Sequence, residues 1–216
     1  MSTDRPVGLI HGLGRGPGSM RVMANRLERL GFATFLLDYP SRHVPPAEAQ
    51  AVLEAQIARE APEGCHLVGH SLGGVLALRL KCDHPDSVRR VVQLGSPNQG
   101  SPMAEAFRDV RFVADLMGPA LERIAAADLG LEELPPAIAR DLGIIAGSAP
   151  LGRVTELWGI DGPSDGMVPV ASALGIDHAD ALLTTTIHGM LPLSADAATQ
   201  VGAFLRKGRF TRAEAA

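Results

Sequence analysis

The strongest chemical signal in the sequence is the pentapeptide Gly69-His70-Ser71-Leu72-Gly73, a G-x-S-x-G pattern. An apolar run precedes it and a helical run follows it, which is the strand-turn-helix context that this pattern requires. The serine in such a turn has strained backbone angles, and the helix N-terminus behind it offers an N–H group to an oxyanion. The alternative is an ordinary glycine-rich turn. The context favours Ser71 as a nucleophile, with His70 as a residue that shapes the turn.

A serine hydroxyl needs a general base, and in this chain order the acid and then the base follow the serine. Of the seven histidines, two lie beyond residue 142, His178 and His188. His188 ends the apolar run 182–187 and precedes a glycine, so it stands just past a strand, where it can reach a serine at the carboxyl edge of a sheet. His178 lies in a polar connection and is typical of a solvent-exposed loop. We therefore predict that His188 is the base.

The acid that orients this histidine has two candidates, Asp161 and Asp165, in the loop 159–169. Both precede a glycine, so either one could simply form a turn. Asp165 is followed by Gly166-Met167-Val168-Pro169, a turn that leads into the next element and could hold the carboxylate against His188. The residues alone favour Asp165 and leave Asp161 open.

The elements that must position these residues follow from hydrophobic periodicity. Strands that alternate with helices at these lengths predict a mostly parallel sheet with helices on both faces. The expected strands are 7–10, 32–37, 65–68, 88–94, 143–147, 154–158 and 182–187, and the expected helices are 19–30, 47–59, 75–81 and 195–206.

The region 98–142 differs from the rest of the chain, because its pattern predicts short helices and no strand. We interpret it as a small helical cap, inserted within a single domain that spans residues 1–216 and lying over the end of the sheet. Met103, Phe107 and Phe112 would give this cap an apolar, substrate-binding wall. The alternative is that these side chains only pack the insertion onto the sheet.

Composition limits the function classes. The chain has 216 residues with a net charge of −4, which argues against a nucleic-acid partner. Mean hydropathy is +0.12, but no run reaches the ~18 apolar residues of a membrane span, so no integral membrane association is expected. Two cysteines are too few for a disulfide framework or a zinc site. The opening residues lack a secretory pattern, and the expected location is cytoplasmic.

Taken together, the motifs resemble those of compact α/β-hydrolases of the lipase/esterase kind, over almost the whole chain. No single motif is specific, but the set is. It comprises His11-Gly12-Leu13-Gly14, Asp38-Tyr39-Pro40-Ser41, the Gly69 to Gly73 turn, Gly95-Ser96-Pro97-Asn98-Gln99-Gly100, Asp165-Gly166-Met167-Val168-Pro169 and His188-Gly189.

The resemblance implies an α/β-hydrolase fold trimmed to about six strands, because the two antiparallel strands that usually open this fold have no room before Val7. It implies that the backbone N–H of Leu13 partners that of Leu72 in an oxyanion hole, that His11 helps to position this loop, and that Asp165 is the acid. The implied activity is cleavage of a carboxylic ester, small or lipid, through an acyl-enzyme, with no metal or organic cofactor.

Two other classes of protein share some of these features. A nucleotide-binding oxidoreductase is suggested by the glycine-rich loop after the first strand and by Asp38 at the end of the second. The spacing fails, because Pro17 or Ser19 occupies the place of the third glycine. A catalytically silent binding protein of the same fold is the other alternative. A broken triad would be its signature, and here all three candidate members are present.

Overall fold

One parallel sheet organises the part of the chain that the structure, a computed structural model, describes: residues 5–102, 134–149 and 159–212. Its six strands lie in the spatial order β2-β1-β3-β4-β5-β6, and each neighbouring pair is parallel. The predicted fold class, with a mostly parallel sheet of about six strands, is confirmed. The strands are β1 (Val7–Ile10), β2 (Thr34–Leu37), β3 (Cys65–His70), β4 (Val88–Leu94), β5 (Leu142–Gly147) and β6 (Asp180–Thr184).

Helices cover both faces of this sheet. Among the described residues they are α1 (Arg21–Arg29), α2 (Pro46–Glu60), α3 (Leu72–Asp83), α4 (Pro136–Ala139), α5 (Val170–Leu174) and α6 (Ala195–Lys207), with 3-10 turns at Pro17–Met20 and His188–Leu193. Helices α2 and α3 pack on one face, and α1 and α6 pack on the other.

The two covered faces explain why the inner strands show no regular alternation of apolar and polar side chains. In the central strand β3, the side chain of Leu67 packs among α2 and α3, whereas that of the next residue, Val68, packs among α1 and α6. All six residues of β3 are buried. A strand covered on both sides has no solvent face, so its sequence shows a continuous apolar run and no alternation.

The parallel arrangement also decides where a site can form. All six strands point the same way, so their carboxyl ends meet at one edge of the sheet, where ligands bind in open α/β folds. Strand β3 ends at His70, directly before Ser71, and β6 ends four residues before His188. The candidate nucleophile and the candidate base therefore leave the sheet at the same edge.

Four strands differ in their limits from the predictions. Strand β2 begins at Thr34 and not at residue 32, and β5 begins one residue earlier than predicted, at Leu142. Strand β3 continues through His70, because it pairs with β4 as far as Leu94. Strand β6 covers Asp180–Thr184 and not 182–187, since its pairing with β5 begins at Gly143 and Asp180. As an edge strand, β6 exposes Leu183, so apolar content alone does not mark its limits.

Some predictions fall outside the described residues. They are the strand at 154–158 and most of the cap, including Met103, Phe107 and Phe112. The cap and its apolar wall therefore stay predictions. Within the described ranges, none of the helices combines the length and apolar character needed to cross a membrane. Both cysteines are free, and burial raises the pKa of the Cys65 thiol to about 12.

Candidate active site

The turn at Ser71 has an unusual backbone. Its φ of 55° makes Ser71 the single non-glycine residue with a positive φ in the described part of the chain. The geometry is held from both sides, since the Ser71 N–H donates to the Leu94 carbonyl at 2.9 Å and the Ser96 hydroxyl donates to the Ser71 carbonyl at 2.9 Å. Such strain persists only where the surroundings enforce it, and it is typical of functional sites.

The flanking glycines allow this turn to close. A Cβ on Gly69 would lie 2.3 Å from the carbonyl oxygen of Gly73, and a Cβ on Gly73 would lie 2.4 Å from the carbonyl oxygen of His11. Both distances are far below van der Waals contact. The G-x-S-x-G pattern thus reflects two close backbone approaches, one within the turn and one between α3 and the loop after β1.

The loop 11–14 lies directly against the serine. A Cβ on Gly12 would stand 3.2 Å from the Cβ of Ser71. In the described part of the chain, the backbone N–H groups of Leu13 and Leu72 donate no hydrogen bond to another residue. Two unpaired N–H groups beside a serine are the donors that an oxyanion hole requires.

Buried contacts fix the position of this loop. The His11 ring is fully buried, its Nε2 lies 3.0 Å from Asp38 Oδ1, and it stacks on Tyr39 with ring centroids 4.5 Å apart. Burial, and secondarily the Asp38 charge, raise the pKa of Tyr39 above its ordinary value. The phenol therefore stays protonated, and its O–H donates a hydrogen bond to the His11 carbonyl oxygen at 3.0 Å.

The structure brings His188 and Asp165 together. His188 Nδ1 lies 2.7 Å from Asp165 Oδ2, and the two side chains are only 8% and 1% exposed. The backbone N–H of His188 also donates to the Asp165 carbonyl at 2.9 Å. The other carboxylate oxygen, Oδ1, accepts N–H groups from Met167 at 3.0 Å and Val168 at 2.8 Å. These bonds orient the carboxylate, whereas Asp161 is exposed and does not contact His188.

A second histidine, His70, contacts the candidate base His188. His70 is buried, and its ring centroid lies 4.7 Å from that of His188. Its Nε2 is 3.0 Å from the His188 carbonyl oxygen, which can only accept, so Nε2 carries the proton. Burial, and then the nearby His188, lower the pKa of His70 well below its ordinary value. Its Nδ1 is buried without a hydrogen-bond partner in the described residues, so His70 is neutral.

Gly95 connects the serine turn to the His188–Asp165 pair. A Cβ on Gly95 would lie 2.8 Å from Asp165 Oδ2 and 3.2 Å from His188 Nδ1. The residue before it, Leu94, accepts the N–H of Ser71. Among the described residues no hydrogen bond joins the Ser71 hydroxyl to His188, and bonds of this kind often tighten only when substrate is bound.

Sequence analysis did not assign a role to Ser96, which holds the Ser71 carbonyl. The signal that could have found it is its position two residues after the end of β4, at the same edge as the serine. In the described ranges no three His, Cys, Asp or Glu side chains come together as a metal-ligating group.

With this geometry in place, comparison with known proteins gives the class. The model of the alpha/beta hydrolase family matches residues 9–212, and the chain belongs to that family. Its fold is similar to that of a lipase from Bacillus licheniformis in its mature form, with a TM-score of 0.73 at 18% identity. The match covers 96% of this chain and 93% of the lipase; at this identity it shows the fold alone.

Two curated relatives are similar to parts of the chain. A pimeloyl-[acyl-carrier protein] methyl ester esterase from Chromobacterium violaceum is 30% identical over 142 residues, which is 62% of this chain and 55% of the esterase. A serine O-succinyltransferase from Xylella fastidiosa is 29% identical over 113 residues, which is 52% of this chain and 30% of the transferase. The matched region thus spans about a third to a half of these relatives.

Proposed function

We propose that this protein is a serine hydrolase that cleaves carboxylic esters, with Ser71, His188 and Asp165 as its catalytic triad. The observation that carries the proposal is the buried 2.7 Å contact between His188 and Asp165, at the sheet edge where Ser71 stands in its strained turn. A base, an orienting acid and a serine in a strained turn, all at one edge of the sheet, are the parts of a nucleophilic acyl-transfer site.

In the proposed reaction His188 takes the proton of the Ser71 hydroxyl as its oxygen attacks the ester carbonyl. The N–H groups of Leu13 and Leu72 bind the oxyanion that forms. His188 then gives the proton to the leaving alcohol, which departs and leaves an acyl-enzyme. Asp165 holds the ring and stabilises its cation. Water attacks the acyl group in the second half, with the same histidine as base, and the free acid is released.

The family relationship supports hydrolase chemistry, and the relative from Chromobacterium violaceum is named as a methyl ester esterase. Short-chain aryl esters are the test substrates. Wild-type protein is expected to hydrolyse them, and Ser71→Ala to reduce the rate to the background level. Ser87→Ala is the matched control, because Ser87 is exposed and precedes β4 at the opposite edge of the sheet.

A fluorophosphonate probe separates an active nucleophile from a silent binding protein of the same fold. The probe is expected to label the wild type and Ser87→Ala but not Ser71→Ala. Equal labelling of all three, or equal ester hydrolysis by Ser71→Ala and the wild type, would overturn the assignment. Absence of labelling in the wild type would favour the binding protein.

Acyl transfer to an alcohol is the second candidate, because one relative is named as a serine O-succinyltransferase. The same acyl-enzyme can be attacked by an alcohol instead of water. The two are distinguished by supplying an aryl ester together with L-serine and measuring how the acyl group divides between free acid and O-acylserine. A hydrolase gives the acid, and a transferase gives the O-acyl product at millimolar acceptor.

A further inference from the structure

A cleft of about 270 Å³ opens beside the loop that carries Leu13. It is lined by Gly14, Arg15 and the segment 39–43. These residues follow β1 and β2, so the cleft lies at the same edge of the sheet as Ser71. Its floor includes Tyr39, whose hydroxyl bonds the backbone of the loop 11–14. The cleft and the candidate oxyanion loop are therefore parts of one structure.

The charge of the cleft is opposite to that of the protein. Its lining side chains include Arg15, Arg42 and His43, in a chain with a net charge of −4. No carboxylate of the described residues forms an ion pair with either guanidinium. The acidic neighbour in sequence, Asp38, is instead bonded to His11. Two arginines that share a concave surface without an internal counter-ion leave a positive potential there.

Arg42 is held in the wall of the cleft. Its Nη2 donates to the Gly14 carbonyl oxygen at 3.0 Å, and its guanidinium packs across Gly14, where a Cβ would lie 3.1 Å from Nε. Nε is buried without a hydrogen-bond partner among the described residues. The guanidinium is therefore fixed in place while part of its hydrogen-bonding capacity stays unused.

Arg15 connects the cleft to the reacting groups. It is exposed, yet its Nη2 would lie 3.1 Å from a Cβ on Gly189, the residue after the candidate base. Its charge also contributes to the lowered pKa of His70. An anion bound by Arg15 would thus sit next to the loop that carries His188.

We propose that this basic cleft binds a carboxylate or phosphate group of the ester substrate while the ester carbonyl lies at Ser71, an inference that rests on the proposed function. Guanidinium groups recognise both anions through paired N–H donors. The protein would then prefer esters that carry a negative charge on the acyl or the alcohol side over neutral esters of the same length.

The test compares matched esters. On the acyl side, 4-nitrophenyl hydrogen adipate is compared with 4-nitrophenyl methyl adipate, and kcat/KM is corrected for spontaneous hydrolysis. On the alcohol side, 2-acetoxyethyl phosphate, which is charged, is compared with 2-acetoxyethyl dimethyl phosphate, which is neutral. Wild-type protein is expected to prefer the charged ester in one of these pairs, and the pair that responds identifies the source of the anion.

Arg15→Gln is expected to lower the charged-to-neutral ratio of kcat/KM about tenfold, the effect of losing one hydrogen bond to a charged group. Added salt is expected to lower the wild-type ratio by screening. Arg89→Gln is the control, since Arg89 is exposed near the start of β4, at the opposite edge of the sheet. A wild type with no preference in either pair, or a preference that Arg15→Gln leaves unchanged, overturns the proposal.

A binding measurement separates failure of this inference from failure of the proposed function. Inorganic phosphate and adipate are titrated calorimetrically into wild type, Arg15→Gln and Arg89→Gln. Weaker binding in Arg15→Gln alone supports the cleft even if the protein hydrolyses no ester. Equal binding by all three proteins, or no binding by any, argues against it even if neutral esters are hydrolysed well.

Discussion

The side chain of His70 donates a hydrogen bond from Nε2 to the backbone carbonyl oxygen of His188, over 3.0 Å. The residue before the candidate nucleophile therefore holds the main chain of the candidate base, although 118 positions separate the two in sequence. The neutral ring supplies the Nε2–H that this contact needs, while burial of the ring, with no hydrogen-bond partner for Nδ1 among the described residues, disfavours a second proton.

The burial of the His70 ring predicts a pH dependence of stability. Burial lowers the pKa of His70 in the folded state, so below about pH 6.5, the ordinary histidine value, the unfolded chain binds a proton that the folded chain does not. The neutral, buried His70 therefore contributes its full stabilisation above that pH. This contribution is lost as the pH falls toward the lowered pKa of His70 in the folded state. His70→Gln keeps an N–H donor and does not titrate.

The free energy of unfolding, measured in urea between pH 7.5 and 5.5, is therefore expected to fall by about 1 kcal/mol more in the wild type than in His70→Gln. The two proteins otherwise have the same sequence, so pH effects common to both cancel in the difference. Parallel stability curves for the two proteins would show that His70 is not the group responsible.

Asp165→Asn is expected to reduce kcat about 10³- to 10⁴-fold, because an amide no longer holds the His188 ring in the required tautomer or stabilises its cation. The fold should survive, since the amide oxygen can still accept the N–H groups of Met167 and Val168. Steady-state kinetics with an aryl ester measure the effect. Asp161→Asn is the control, because Asp161 is exposed. Equal losses in the two variants would contradict the assignment.

Gly95→Ala is expected to damage both activity and stability. The methyl group would lie 2.8 Å from Asp165 Oδ2, at a residue whose φ of 59° already disfavours a side chain. We expect the free energy of unfolding to fall by about 1–3 kcal/mol, the cost of overpacking, and kcat/KM to fall at least tenfold as the His188–Asp165 contact is displaced.

Gly162→Ala separates backbone strain from crowding at the site. Gly162 also has a positive φ, 82°, but a Cβ there would meet nothing within 4 Å. Its substitution should cost about 1 kcal/mol of stability through the backbone alone and leave ester hydrolysis as in the wild type. If Gly162→Ala lowers activity as much as Gly95→Ala, the effect at Gly95 is one of backbone strain and not of contact with the pair.

The sequence predicted most of the sheet, because strands buried on both faces leave continuous apolar runs such as 7–10 and 143–147. It predicted β6 less well, since the limits of this edge strand, which is partly exposed, are defined by its pairing with β5. The buried Lys81 was also beyond sequence patterns. Its ammonium group donates to the carbonyls of Pro85, Val88 and Arg89, partners that the turn after α3 and the start of β4 supply.

In the candidate site, too, some residues could be predicted from local sequence and others depend on tertiary structure. Ser71 and His188 could be selected from motif and chain order, because their positions relative to strands are local properties. From the residues alone Asp161 stayed open beside Asp165, since both precede a glycine. What separates them is tertiary: only Asp165 reaches His188, at 2.7 Å. No sequence pattern indicated the cleft around Arg15 and Arg42, because the loops that form it follow two different strands.

The positive φ of Ser71 has a consequence for selection in the laboratory. Glycine adopts such angles without penalty, so Ser71→Gly should raise the free energy of unfolding by about 1 kcal/mol while abolishing hydrolysis. Variants chosen for heat resistance alone would then drift toward an inactive protein. If Ser71 is the nucleophile as proposed, stability and hydrolysis place opposite demands on this position, so any selection for stability should also measure ester hydrolysis at every round.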